Sequence, residues 1–171
     1  MLNTRTASVS ESTAIAELWT VANTARRAAL DLGPVAEADD DSRAVRLRLG
    51  APRTFAFVVE EDGRLVAIAL AMQALAQDGA SPVPVPGLLH VSMVAVHPDA
   101  WGRHLGALVL ESTQREGRKR GFTNAQLWTH ETNRRAQRLY ERLGWTVSGR
   151  TKADDSGEPI RHYVRPLDDG R

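Results

Sequence analysis

Cysteine is absent from the 171 residues, which excludes disulfides, thiolate zinc sites and a cysteine nucleophile together. Histidine is scarce: five scattered residues do not make a metal-ligand pattern, and no metal is expected. No apolar run approaches the roughly 20 residues needed to cross a bilayer. The opening MLNTRTASVSES also lacks the apolar core of a signal peptide, so a cytoplasmic location is expected. Lysine is nearly missing. Lys119 and Lys152 stand alone among arginines, and with abundant alanine this composition suggests a GC-rich bacterial genome.

What is present suffices for one domain over residues 1–171, with 42% hydrophobic residues to build its core. Net charge is only +1, but it is unevenly spread. Residues 1–100 carry 8 basic and 12 acidic side chains, whereas residues 101–171 carry 14 and 9. The second half should attract anions, and an excess of this size suits a small polyanion better than a nucleic acid.

Periodicity and turn residues predict a mixed α/β order. A first strand is expected over Thr4–Val9, followed by a helix through IAELWTVANTARRAAL capped by Ser12 or Thr13. A short helix over SRAVRLRL follows the acidic run Glu37–Asp41 and stops at Gly50 and Pro52. Thr54–Glu60 and Arg64–Ala71 should form a hairpin around Glu61-Asp62-Gly63. Leu75–Gly87, with three prolines and no periodicity, reads as a loop. Asn124–Thr129 is a strand, Asn133 starts a helix that Gly144 closes, and two strands follow around Asp154-Asp155-Ser156-Gly157.

The centre of the chain is HVSMVAVHPDAWGRHLG, residues 90–106. Val91, Val94 and Val96 give strand character, Pro98 ends the run, and Leu105, Leu108, Val109 and Ser112 recur at helical spacing. A strand thus feeds a helix start, where unpaired amides and the helix dipole favour a phosphate, with Arg103 alongside. Taken alone, this is also the pattern of an ordinary strand–loop–helix joint. Downstream, Asn133, Ala136 and Tyr140 stand at i, i+3 and i+7 on one helix face. By spacing alone that tyrosine is either half-buried core or directed into a site.

The pairing of VAVHPDAWGRHLG with NRRAQRLYERLGW resembles the GNAT superfamily of acyl-CoA-dependent N-acetyltransferases. The resemblance implies a splayed mixed sheet of six or seven strands flanked by about four helices. It implies acetyl-CoA as acyl donor, held by Val94, Ala95 and Val96, by Trp101, Gly102, Arg103, His104, Leu105, Gly106 and Ala107, and by Asn133, Ala136 and Tyr140. The family pattern of Arg or Gln, two residues, Gly, one residue, and Gly or Ala falls here on Trp101, His104 and Gly106, of which only the last fits. His104 puts a side chain where backbone normally approaches phosphate, which lowers the expected affinity, although its imidazole can itself donate to a phosphate oxygen.

The same resemblance implies a mechanism. A bulge near Met93–Val94 would free the Val94 amide to polarise the thioester carbonyl, and Tyr140 would protonate the departing sulfur. His90 and Ser92 alternate to one strand face, where the serotonin-acetylating branch has histidines. His90, with an ordinary pKa of about 6.5, is the candidate base directly or through water, and Glu60 is a second candidate. The expected reaction is acetylation of a primary amine on a small molecule or protein N-terminus. The rivals are a non-catalytic acyl-CoA-binding regulatory module, against which Tyr140 speaks, and an acetyltransferase of aminoacyl-tRNA, which would need a continuous basic face. A homodimer is common in the family. The resemblance places Glu37, Asp39, Asp40, Asp41, Asp154 and Asp155 beside the acceptor entrance, which leads to the expectation of a cationic acceptor.

Overall fold

The computed structural model describes residues 1–34 and 41–167. The elements in chain order are β1 (Leu2–Thr6), α1 (Ser12–Ala29), α2 (Asp41–Gly50), β2 (Thr54–Glu61), β3 (Arg64–Leu75), β4 (Pro84–Val96), α3 (Leu105–Lys119), β5 (Asn124–His130), α4 (Arg134–Arg142), β6 (Thr146–Ala153) and β7 (Pro159–Pro166). The strands form one seven-stranded mixed sheet in the order β1-β2-β3-β4-β5-β7-β6. Seven strands and four α-helices match the expected architecture. No helix among the described residues is long and apolar enough to cross a membrane. The chain divides into two compact units, Met1–Leu70 with Met93–Thr113, and Ala71–Ser92 with Gln114–Arg171.

In the first unit, Asp62 and Gly63 take φ of +50° and +79°, the left-handed pair that lets a two-residue turn follow the twist of β2 and β3. β1 runs antiparallel to β2 with Leu2 opposite Glu61 and Thr6 opposite Phe57. The first strand therefore starts and ends earlier than expected. So does the turn into α1: the Glu11 carboxylate accepts the Ser8 amide at 2.8 Å, and a short 3-10 turn leads into the helix. Ser12 lies inside the helix and donates its hydroxyl to the Val9 carbonyl, so neither Ser12 nor Thr13 is the cap. Val59, Val66, Ala67, Ala69, Ala100, Leu105 and Val109 form one buried cluster, with Val94, Val96 and Leu108 packed on it. This cluster binds the first turns of α3 to the strands and fixes where that helix begins.

In the second unit, β5 pairs parallel with β4 from Leu88↔Asn124 to Val91↔Leu127, and antiparallel with β7 along its whole length. Ser92 and Trp128, next on the two strands, lie beyond the parallel ladder. β6 pairs with β7 through a register shift between Val147 and Thr151. Leu89, Ala125, Leu127, Tyr140, Trp145, Tyr163 and Leu167 are buried. Gly117 faces Leu89 so closely that a Cβ there would stand 2.9 Å from its Cδ2, so glycine sets the approach of α3.

The loop expected over Leu75–Gly87 is present over residues 76–83 and is shorter than expected, because its last four residues are strand. β3 runs to Leu75 and β4 starts at Pro84, leaving a short turn centred on Gln77–Gly79. Proline's fixed φ is compatible with extended chain. The contacts here run through carbonyls rather than through the amides that proline lacks: Gln73 Nε2 donates to the Val85 carbonyl at 2.7 Å, and the Ala76 amide to the Val83 carbonyl at 2.8 Å.

Candidate active site

Along β4, Leu89, Val91, Met93 and Ala95 are buried while His90, Ser92, Val94 and Val96 are part-exposed. His90 and Ser92 thus share a face, as expected from strand alternation. The phase is unbroken from Leu89 to Val96, so the expected bulge at Met93–Val94 leaves no mark on the burial pattern.

At the end of β4 the chain is tightly organised within the first unit. The His97 amide donates to the Val66 carbonyl, its Nδ1 accepts the Asp99 amide at 3.2 Å, and Arg64 meets its Nε2. Trp101 folds back and donates its indole N–H to the Val96 carbonyl at 3.0 Å. The residue standing where the family has Arg or Gln therefore supports the strand end.

Gly102 and His104 both take left-handed backbone, with φ of +79° and +60°. The His104 carbonyl then accepts the Leu108 amide at 3.2 Å and opens α3. His104 therefore adopts the conformation for which glycine is favoured, and the first amides of α3 have no acceptor inside the helix. Arg103 does not stand free beside them. It makes a two-pronged pair with Glu61, at 2.8 and 2.7 Å, and the guanidinium holds that carboxyl below its usual range.

Left-handed backbone on a non-glycine residue costs on the order of 1–3 kcal/mol. Each kcal/mol corresponds to about 2–4 °C in a chain of this size. His104→Gly is therefore expected to raise Tm by a few degrees and, by clearing the side chain, to tighten CoA. Differential scanning calorimetry and titration calorimetry on this variant check both. Weaker CoA binding would assign the imidazole a phosphate-donor role instead.

In the second unit, Asn133 caps α4, its Oδ1 accepting the Ala136 amide at 3.2 Å. Gln137 donates from Nε2 to the His130 and Glu131 carbonyls at 3.0 and 2.8 Å, fastening the helix start to the end of β5. At the other end the Gly144 and Trp145 amides return to the Glu141 and Tyr140 carbonyls around Gly144 at φ +85°, which is a Schellman closure. Tyr140 is 5% exposed, and its ring lies 6.2 Å from Trp145 and 5.7 Å from Tyr163. Burial pushes the Tyr140 hydroxyl well above its ordinary pKa, so it keeps its proton throughout the neutral range.

Sequence reasoning missed a polar cluster on the sheet of this unit. His162 is buried at 4% exposure, with Nε2 on Gln126 Oε1 at 2.9 Å and Nδ1 on Ser148 Oγ at 2.8 Å. An amide oxygen only accepts, so Nε2 carries the proton and Nδ1 accepts from Ser148. Burial lowers the His162 pKa, and Arg150 lowers it further. The Trp128 ring lies 4.8 Å from His162, with Lys152 Nζ 4.4 Å and Arg150 Cζ 5.2 Å from its centroid. Asp78 Oδ2 meets Arg150 at 2.6 Å and Lys152 at 3.9 Å. The one local signal was the Arg-x-Lys alternation in β6; the rest comes together across distant elements.

Two of the acidic candidates, Glu60 and Asp154, have partners of their own. Glu60 pairs with Arg5 at 2.6 Å, and the same guanidinium holds Glu11 at 2.7 Å. Glu60 is therefore held in an ion pair with Arg5, within the first unit. Asp154 accepts the Ser156 and Glu158 amides at 2.9 Å on Oδ1 and meets His130 Nε2 at 2.8 Å on Oδ2. Partial burial alone would raise its pKa, but these bonds outweigh it and hold the carboxyl down at about 2. Asp154 thus organises its turn and holds His130 while remaining a carboxylate at neutral pH. The donor atoms of His130, Asp154 and Glu158 lie within 4.8 Å of one another. Glu37, Asp39, Asp40 and the Asp41 side chain fall outside the described residues.

The family described as acetyltransferase (GNAT) matches residues 15–145. No curated protein matches the sequence. Among solved structures, the chain is similar to the ribosomal-protein-S18-alanine N-acetyltransferase from Escherichia coli, at 19% identity and TM-score 0.74, covering 100% of this chain and 97% of that one. It is also similar to the Salmonella typhimurium protein yncA with its cofactor acetyl-CoA, at 21% identity and TM-score 0.70, over 100% and 96% of the two chains. The PaiA N-acetyltransferase from Thermoplasma acidophilum in complex with coenzyme A aligns at 11% identity and TM-score 0.64, over 95% and 98%. Identities this low speak for the fold, and the family match over most of the length carries the assignment: this chain belongs to the GNAT family and is an acyltransferase.

Proposed function

We propose that the chain moves an acetyl group from acetyl-CoA to a primary amine of a small molecule or a protein N-terminus. The observation that carries this reading is the left-handed turn at Gly102 and His104, which opens α3 with amides that lack intrahelical acceptors. The amides of Arg103–Ala107 would receive the phosphates, and Val94, Ala95 and Val96 the pantetheine. The Val96 carbonyl already accepts from Trp101 and keeps one lone pair for a ligand amide. Asn133 and Ala136, at the start of α4, would line the cofactor side of the helix that carries Tyr140.

The chemistry is direct attack. His90, on the β4 face it shares with Ser92, takes the amine proton directly or through water, and the nitrogen lone pair then forms the amide bond at the thioester carbon. The C–S bond breaks, and the Tyr140 hydroxyl gives its proton to the leaving thiolate. Burial supports that role by keeping the donor protonated at neutral pH. The setting is cytoplasmic and the reaction requires no metal.

A thiol-release assay with acetyl-CoA over a panel of primary amines tests the reaction. Titration calorimetry should show CoA binding that weakens once its phosphates are removed. Equal binding of dephosphorylated fragments would refute the phosphate assignment. Tight CoA binding without transfer to any amine would favour a binding module.

A further inference from the structure

The cation pair on β6 supports a statement about the acceptor. Arg150 and Lys152 both reach the Trp128 ring, at 5.2 and 4.4 Å, although β7 lies between their strand and β5. The aromatic face gives both cations an apolar floor, where contact with an anion is stronger than in open water. Asp78 is the one carboxylate that meets them among the described residues, at 2.6 Å from Arg150 and 3.9 Å from Lys152. Two cations facing one carboxylate leave one positive charge uncompensated. Burial keeps His162, below the Trp128 ring, from adding another, and the two cations reinforce that effect.

The way Asp78 arrives is unusual. Gln77, Asp78 and Gly79 have φ of +55°, +53° and +92°, so two consecutive L-residues hold left-handed backbone to bring this carboxylate onto Arg150. A turn of that kind persists only when its contacts hold it there. Asp78 thus sits as a carboxylate from a ligand would, against a guanidinium with an ammonium behind it.

The cluster also stands beside the candidate base. Trp128 is the first β5 residue beyond the parallel ladder, and His90 lies opposite Gln126, two residues back. Gln126 and Trp128 share one face by strand alternation, so His90 lies on the side that carries the cations, offset by about 7 Å along the strand. A small molecule with an amine at one end and a carboxylate close by matches that offset.

We propose that Arg150 and Lys152, stacked on Trp128 and internally occupied by Asp78, form a carboxylate subsite, and that the acceptor is a free amino acid bound through its carboxylate. This rests on the acetyl-transfer reading above and replaces the expectation of a cationic acceptor. The ligand carboxylate displaces Asp78 and releases the Gln77–Gly79 turn. Its amine then faces the His90 and Ser92 side of β4.

Two measurements test this. In the first, the Trp128 indole N–H resonance, assigned with Trp128→Phe, is followed by NMR while N-acetylglycine or N-acetylglycinamide is added at matched ionic strength. The acid should shift the resonance and the amide should not. Arg150→Gln combined with Lys152→Gln should abolish the response, and Asp78→Asn should tighten it about tenfold by removing the internal competitor. Equal responses to acid and amide, or weaker binding in Asp78→Asn, would overturn the subsite. In the second, kcat/KM for free amino acids should exceed that for their carboxamides by about 10- to 100-fold. Amides used as well as acids would also overturn it. The NMR measurement needs no turnover, so failure of the acetyl-transfer reading, seen as no transfer to any amine, is distinguishable from failure of the subsite.

Discussion

Tyr140→Phe is expected to lower kcat by about 10²–10⁴-fold while leaving CoA affinity nearly unchanged, because it removes a proton donor and keeps the ring. The packing makes the substitution clean: the ring sits among Trp145 and Tyr163, contacts that a phenylalanine ring preserves. Since burial lifts the Tyr140 pKa, ionisation of this hydroxyl does not limit activity at neutral or mildly alkaline pH. A tyrosine that served only the core would give the opposite result, with turnover intact and about 1 kcal/mol of stability lost. Steady-state kinetics and thermal unfolding of the one variant separate the two, and full activity in a destabilised protein would remove Tyr140 from the mechanism.

Trp145→Ala should be the most destabilising single change near the site, at about 3–5 kcal/mol. Trp145 is 1% exposed, packs on Tyr140, and follows the glycine that closes α4. Its indole nitrogen is buried without a hydrogen-bond partner among the described residues, so part of what Trp145 contributes by packing is already offset. Trp145→Phe should therefore cost no more than about 1.5 kcal/mol, since it loses volume but also removes the unpaired donor. Urea unfolding of both variants checks the ordering. A Phe variant as unstable as the Ala variant would mean that ring size alone sets the stability here.

What could be read from the sequence was the part encoded locally. Asn133 and Gly144 bound α4 because one supplies a capping oxygen and the other a left-handed closure within a few residues. Asp62-Gly63 marked its hairpin for the same reason. The alternation of His90 and Ser92 followed from strand period alone. The start of β4 was misread because Pro84 and Pro86 signal a break, and the Gln73 side chain that bonds across to this stretch lies more than ten residues away. The start of α1 was misplaced although Ser8 and Glu11 stood three apart, the spacing of a capping box. The pairings of Arg5 with Glu60, of Arg103 with Glu61 and of Arg150 with Asp78 join residues 42 to 72 positions apart, and no local pattern announces them.

β6 is the last strand of the sheet, and all eight of its residues are exposed. A straight outermost strand is a template onto which another copy's backbone can add, which is how many β-proteins aggregate. This one is spoiled for that purpose. The register slips between Val147 and Thr151, Gly149 turns the backbone to φ +90°, and Arg150 and Lys152 would have to be carried into any added ladder. Concentrated protein, including chains still completing their fold, therefore finds no continuous uncharged edge along β6, and self-association of the folded chain has to use a different surface.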